Sequence, residues 1–498
     1  MGETMARAGL CDGMVTAKRR GSRRPSQLLG VVFVSCFVGA CADTLPAQTA
    51  QGRGPVLPAS VPSQKQDMTG SISSRPVTPA PVQPAPRVRR AQLQSSSTPP
   101  SEWSGEDGAS GHPKMTASAI REDAANFDAC IRDLWPAAAK RGVSQQSFVR
   151  FTSNLTPELR IMDFMDKQPE FTKALWDYLD ILVNDKRIAR GREVLAQYRT
   201  TFDGVERAYG VDRYVIAAIW GIESNYSTQG GERSVLRSTA TLACVGRRQA
   251  YFRDEFLAAL EILHRGDLQP NQLVGSWAGA FGPTQFMPTS FKRFAVDFDG
   301  DGRRDVVDSV ADLIASTANN LKKDGWQAGQ TWGYEVAVPR GFNYLYADRS
   351  RNMTIAQWEQ LGLRRANGKP FPRTSDSAFL LAPAGAQGPG FLMLKNFRAI
   401  MRYNPAEAYA LAIGHFADRL RGGEPIVQAW PRNERVLTRE ERLELQQLLA
   451  NRGFNIGGEP DGRLGGQTRT ALRNFQASIG MPADGFASSS VLERLRGR

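Results

Sequence analysis

Four side chains in one short stretch set the strictest condition on how this chain can fold. In Val215-Ile-Ala-Ala-Ile-Trp-Gly-Ile-Glu-Ser-Asn-Tyr226, residues Ile216, Ile219, Trp220 and Glu223 fall at i, i+3, i+4 and i+7. That spacing places all four on one face of a helix. Asp212, following Gly210, is positioned to cap its N-terminus. A carboxylate on an apolar helix face is out of place unless it is paired or held protonated. Burial against Ile and Trp raises a carboxyl pKa toward neutrality, which is what a general acid needs near neutral pH. A helix-end Glu that reaches solvent or pairs with an arginine would satisfy the same spacing.

A second stretch weighs against that plainer reading. Gly275-Ser-Trp-Ala-Gly-Ala-Phe-Gly-Pro-Thr-Gln-Phe-Met-Pro-Thr-Ser290 is small, Gly-rich and aromatic, with one amide at Gln285. Together with Trp220–Tyr226 and Arg402-Tyr-Asn404, it resembles the membrane-bound lytic murein transglycosylase B family. The resemblance spans roughly residues 120 to 420, with three motifs in the family's order. It implies a mainly α chain whose catalytic domain is a lysozyme-like α+β fold, and an enzyme that cleaves the glycan strands of peptidoglycan. By the same resemblance Glu223 is the catalytic acid and base. Ser276, Gln285, Tyr403 and Asn404 match sugar-contacting positions, and Tyr409 matches a tyrosine near the catalytic carboxyl. Tyr226 stands where aromatic residues follow the family's glutamate, as a sugar platform or as packing. Phenols and amides on aromatic walls suit sugar hydroxyls and apolar sugar faces.

Composition divides the rest of the chain. Residues 1–41 read as an export signal: Lys18, Arg19, Arg20, Arg23 and Arg24 precede the apolar run Leu28–Ala40, which is too short to span a bilayer. Val38-Gly-Ala-Cys41 resembles a bacterial lipobox, with Cys41 as the lipidated residue; an ordinary cleavage site before a cysteine is the alternative. Ala42 leans the anchored protein toward the periplasmic side of the outer membrane, and a soluble periplasmic protein is the alternative. Residues 42–115, rich in Pro, Ser, Gln and Gly, cannot bury enough apolar surface to fold and read as a tether. Amphipathic helices follow, with Phe127, Ile131, Leu134 and Trp135 on one face and Phe256, Leu260 and Leu263 on another. The catalytic domain is assigned to 116–432. Thr331–Gly390 reads as loops with a small β element, and Phe397–Leu420 as helix.

Arg432–Arg435 read as a linker. Beyond it, Leu445-Gln446, Asp461-Gly462, Phe475-Gln476 and Asp484-Gly485 recur in order. Residues 437–498 resemble the small three-helix peptidoglycan-binding domain found beside wall hydrolases. Gly465-Gly-Gln-Thr468 and Ala487–Ser490 depart from that pattern, so a structural cap is the alternative to a binding module.

The formal net charge is +13, spread along the chain. It favours polyanions. No nucleic-acid motif is present, and a wall polymer bearing peptide carboxylates fits equally. The expected partners are glycan strands and, through the lipid, a membrane; the protein is expected to act as a monomer. Of five cysteines, Cys11, Cys36 and Cys41 belong to the signal region. Cys130 and Cys244 are left to form one disulfide or two buried thiols.

Asp297-Phe-Asp-Gly-Asp-Gly-Arg-Arg-Asp-Val-Val-Asp308 fits a calcium loop. Asp297, Asp299, Asp301 and Asp308 fall at positions 1, 3, 5 and 12, Gly302 at 6, and the Arg303 carbonyl at 7. Asp308 is a short arm for position 12, and Asp312 is the other candidate to close the loop. An Asp-rich surface turn is the alternative. Any calcium here is structural, and the chemistry needs no cofactor.

His112, His264 and His415 show no metal spacing, and there is no Gly-x-Ser-x-Gly elbow or Cys-His pair. Ordinary glycosidases use two carboxylates; the resemblance implies one, acting first as acid and then as base. The product would end in 1,6-anhydro-N-acetylmuramic acid. A hydrolytic muramidase and an inactive peptidoglycan-binding lipoprotein are the competing readings.

Overall fold

Gly210 ends the helix Arg199–Tyr209 in a left-handed conformation (φ 69°), and the Asp212 carboxylate accepts the Tyr214 N–H at 2.8 Å. The chain is thereby turned into the helix Arg213–Ser224. The computed structural model describes residues 103–108, 111–166 and 174–497. The signal region, Cys41 and most of the tether lie outside them. Two parts of the sequence reading need correction here. Trp103 packs on the core, Met115 is 1% exposed, and the Ser104 hydroxyl donates to Asp163 at 2.6 Å. The folded body thus begins by Trp103, inside the segment read as a tether. Arg432–Arg435 is not a free linker either. Glu434 is buried and accepts the hydroxyls of Ser489 and Ser490, each at 2.6 Å.

Among the described residues, two apolar cores carry the helical part of the catalytic body. The first surrounds the antiparallel helices Val235–Cys244 and Gln249–Arg265, with Phe127, Ile131, Phe256 and Leu260 inside it. Cys130 and Cys244 are bonded, joining segments 114 residues apart in sequence. The second surrounds Arg213–Ser224. Val215 through Gly221 are all buried, so this helix is enclosed on every side and not on one stripe. It packs against Glu407–Arg421. Gly221 permits the contact, since a Cβ there would lie 2.8 Å from the Phe416 ring. Phe397–Leu420 is two helices, Lys395–Tyr403 and Glu407–Arg421, because Pro405 cannot continue the first.

The strands are short. β1 (Arg233–Ser234) pairs antiparallel with β2 (Val274–Gly275). Then come β3 (Gly333–Ala337), β4 (Met353–Thr354), β5 (Arg364–Arg365), β6 (Ser377–Leu381) and β7 (Gly390–Met393). These last five form one antiparallel sheet in the order β4-β6-β7-β3-β5. Its core is centred on Trp358, whose indole N–H donates to the Ala378 carbonyl at 3.0 Å.

The C-terminal module has its own core of Leu445, Leu449, Leu472, Phe475 and Leu492. Its helices are Arg439–Asn451, Gly466–Ser478 and Ser489–Arg496. The repeated Gln and Asp-Gly motifs are one device used twice. Gln446 Oε1 accepts the N–H groups of Asp461 (3.0 Å) and Gly462 (2.7 Å), while its amide donates to Asp461 Oδ1. Gln476 Oε1 accepts Gly485 N–H at 2.7 Å, and its amide donates to Asp484 Oδ1 at 2.7 Å. A buried amide thus satisfies each Asp-Gly turn. Asp484 Oδ2 also accepts the Ala386 N–H of the catalytic body at 2.8 Å. Gln446→Ala strands two backbone donors and should cost the module about 2–4 kcal/mol. Thermal unfolding of the full chain would show this as an earlier C-terminal transition; an unmoved one counts against the clamp.

Candidate active site

Glu223 lies on the last turn of Arg213–Ser224. The chain then takes three consecutive left-handed residues, Asn225 (φ 48°), Tyr226 (φ 57°) and Ser227 (φ 67°). Left-handed backbone costs a non-glycine residue roughly 1–2 kcal/mol, so the turn must be held from outside. Ser227 N–H donates to Ser224 Oγ at 3.0 Å, Asn225 Nδ2 to Thr228 Oγ1 at 2.8 Å, and Trp220 Nε1 to Ser227 Oγ at 2.9 Å. The turn leads the chain away from the helix end and leaves Glu223 half-buried.

For Tyr226, which the sequence left open between sugar platform and packing, the structure shows packing. The side chain is 3% exposed and fills a slot opened by Gly191 and Gly221. A Cβ on Gly191 would come within 2.1 Å of its hydroxyl, and one on Gly221 within 2.7 Å of its ring. Tyr226 anchors the turn and offers no face to a sugar.

The other motifs converge on Glu223. Tyr409 donates its hydroxyl to Glu223 Oε1 at 2.7 Å. Burial, and then the negative charge of Glu223, hold this phenol well above its usual range, so it remains a neutral donor. Tyr403 is raised by the same two causes in the same order, which places it in the field of Glu223. Its hydroxyl donates to the Thr284 carbonyl at 2.6 Å, next to Gln285. Asn404 is 1% exposed at the break between two helices, and its Oδ1 accepts Ala406 N–H at 3.3 Å.

The Gly-rich segment meets Tyr403 at the Thr284 carbonyl and is itself held by close backbone contacts. A Cβ on Gly275 would sit 1.9 Å from the Ala280 carbonyl oxygen, so only glycine fits there. Ser276 is buried and its Oγ accepts Ala280 N–H at 3.0 Å, which makes it a brace of this turn. Gln285 adopts φ 55° and donates Nε2 to the Gly282 carbonyl at 2.8 Å. Its Oε1 is buried with no partner among the described residues. An orphaned buried acceptor carries a free-energy cost that a ligand donor would remove. Thr284 escaped the sequence reading because its contribution is a backbone carbonyl, which leaves no side-chain signal.

Of the two candidates to close the acidic loop, Asp312 joins the cluster and Asp308 does not. Asp297, Asp299 and Asp312 bring one carboxylate oxygen each within 4.8 Å of one another. Asp297 accepts the N–H groups of Gly300 and Gly302. Asp312 is fully buried, takes Phe298 N–H (2.6 Å) and Asp305 N–H (2.8 Å), and has its pKa raised mainly by burial, with Asp299 adding to it. Asp308 instead accepts the Gln272 amide at 2.7 Å, and Asp301 accepts Arg303 N–H at 2.8 Å. Neither joins the triad. The Arg303 side chain reaches Gln272 Oε1 at 3.4 Å. Asp312 prevails because Ser309 caps the next helix by accepting Asp312 N–H at 3.2 Å, fixing Asp312 in the first turn. The Ser309-Val-Ala-Asp312 spacing carried that signal.

Residues 104–418 match the family model described as the transglycosylase SLT domain. The chain belongs to this transglycosylase family. Residues 438–495 of this transglycosylase match the model described as a putative peptidoglycan binding domain. It is 30% identical over 289 residues to the membrane-bound lytic murein transglycosylase B of Escherichia coli K12, covering 55% of this chain and 77% of the relative. Among solved structures, it is similar to SltB3 from Pseudomonas aeruginosa in complex with NAG-anhNAM-pentapeptide. That match has 44% identity and a TM-score of 0.71, over 74% of this chain and 99% of that one. The Escherichia coli lytic transglycosylase Slt35 in complex with calcium aligns at 26% identity and a TM-score of 0.51, over 64% of this chain and 95% of that one.

Proposed function

We propose that this transglycosylase cleaves the bond between N-acetylmuramic acid and N-acetylglucosamine in peptidoglycan, with Glu223 as both acid and base. The Tyr409 hydroxyl on Glu223 Oε1 carries this reading. It fixes the orientation of the carboxyl group. Glu223 gives its proton to the glycosidic oxygen as the C1–O bond breaks, and the N-acetylglucosamine hydroxyl leaves. The acetamido carbonyl oxygen of the muramic acid supports the electron-poor anomeric carbon. The Glu223 carboxylate then takes the proton of the C6 hydroxyl, whose oxygen attacks C1 and closes the 1,6-anhydro ring. The proton returns to Glu223 and no water is consumed. The neutral Tyr409 donor stabilises the carboxylate form needed for the second step. In this reading Gln285, Tyr403 and Asn404 contact the sugar hydroxyl and amide groups, the orphaned Gln285 Oε1 supporting the first of them, with Ser276 holding the loop that carries Gln285.

Mass spectrometry of fragments released from purified sacculi tests this. Products one water lighter than hydrolytic muropeptides, with no oxygen from labelled water, are expected; reducing ends bearing labelled oxygen would make the enzyme a muramidase.

Asp297, Asp299 and Asp312 suit a hard cation, because three crowded carboxylates repel one another without one. Calcium here would tie the loop to the helix Val310–Lys323 without entering the chemistry. Calcium at a hundredfold excess over Kd should stabilise the protein by about 2.7 kcal/mol. Asp299→Ala should erase the gain, and equal melting with calcium and with chelator would reject the site. The signal and lipobox pattern supports an exported protein anchored through Cys41 on the periplasmic side of the outer membrane. Among the described residues, no helix is long and apolar enough to cross a membrane.

A further inference from the structure

Thr284 is held at two points. Its carbonyl accepts the Tyr403 hydroxyl at 2.6 Å. Its own hydroxyl lies 3.2 Å from that of Thr317, the one partner of this side chain among the described residues. Both threonines are fully buried. Thr317 belongs to the helix Val310–Lys323, where it donates to the Leu313 carbonyl at 2.8 Å. The helix is itself secured close by. Ser316 Oγ accepts Val296 N–H at 3.0 Å, and Asn319 Nδ2 donates to the Phe294 carbonyl at 2.8 Å. Thr317 is therefore a fixed point against which Thr284 rests.

The turn that contains Thr284 needs such a point. Phe281 and Phe286 exchange backbone hydrogen bonds at 2.9 Å each and close its base. Gln285, the residue after Thr284, is left-handed (φ 55°), a conformation that is unfavourable for a residue with a Cβ. Its Oε1 is buried with no partner among the described residues. The Tyr403 oxygen spends its proton on the Thr284 carbonyl and keeps lone pairs for a sugar hydroxyl. Both groups take their bearings from Thr284.

We infer that Thr317 is a positioning residue for substrate binding. Through Thr284 it fixes where the Gln285 amide and the Tyr403 phenol meet the sugar. The inference rests on the transglycosylase reading above and deepens it. Thr317 itself, fully buried behind the turn, touches no substrate.

Steady-state kinetics of the full-length enzyme on soluble glycan strands test this, together with the melting curve of each variant. Thr317→Val keeps the shape and removes the partner of the Thr284 hydroxyl. Its KM should rise about tenfold, the weight of one hydrogen bond. Its kcat should stay close to wild type, because Gln285 and Tyr403 hold the sugar in the ground state and the transition state alike. Thr317→Ser keeps the hydroxyl and should keep the wild-type KM. A purely structural role has another signature: fewer folded molecules lower kcat and leave KM unmoved. Thr284→Val combined with Thr317→Val separates the two roles again. With both hydroxyls gone no buried group is stranded, so the melt should return toward wild type, while KM should stay high. An unmoved KM in Thr317→Val, or a double variant whose KM recovers with its melt, overturns the proposal. If Thr317→Val does not fold, the KM of the double variant decides. A wild type that leaves the strands uncut would sink the transglycosylase reading, and this proposal with it.

Discussion

Glu223→Gln is expected to keep its fold and lose at least about 10⁴-fold in cleavage rate. A single positioned proton transfer contributes roughly 10²–10⁴, and Glu223 serves in two. The loss corresponds to a barrier raised by on the order of 5 kcal/mol. The substitution is a clean probe because its shape is unchanged. The glutamine carbonyl can still accept the Tyr409 hydroxyl that now reaches Glu223 Oε1 at 2.7 Å, and the braces from Ser224 and Ser227 are untouched. What disappears is a group able to give and take a proton. Turnover of sacculi and the melting temperature, measured together, check the expectation. An unaltered melt with turnover within tenfold of wild type would remove Glu223 from the mechanism.

Cys130→Ser with Cys244→Ser is expected to destabilise the helical body by up to about 4–5 kcal/mol. The figure comes from the chain-entropy account of a cross-link closing a long loop, here between residues 114 apart. The bond ties the helix Phe127–Asp133 to Val235–Cys244, in a core separate from the one around Glu223. The loss should therefore appear first in stability, with activity retained at temperatures well below the melt. Denaturant unfolding of the variant and of reduced wild-type protein measures it. Equal midpoints for oxidised and reduced protein would show that the bridge contributes nothing.

The helices were legible because their signals are local, whereas Glu223 was singled out only when its spacing was joined to the resemblance of three separated motifs. Ile216, Ile219 and Trp220 mark a face, and Asp212 after Gly210 marks a start. The sequence could not show that Val215–Gly221 is enclosed on every side, since that depends on Phe416 and Tyr226 arriving from elsewhere. For the same reason the sequence left Tyr226 open between platform and packing: the slot that takes its ring is made in part by Gly191, distant in sequence. Loop counting left Asp308 and Asp312 both open, and Asp312 joins Asp297 and Asp299 because the Ser309 cap fixes it in the first turn of the next helix. The five-stranded sheet was reduced to a small β element because its strands run two to five residues, too few for alternation to stand out.

Asp484 has two employments. One oxygen completes the glutamine clamp inside the C-terminal module, and the other is bonded to the Ala386 backbone of the catalytic body. A load applied to the module is therefore carried into the body, where a slack tether would have absorbed it. If the module grips a strand, wall tension reaches the cutting machinery through this joint. The distance between grip and cut is then a property of the fold, as in a bolted tool with a fixed jaw.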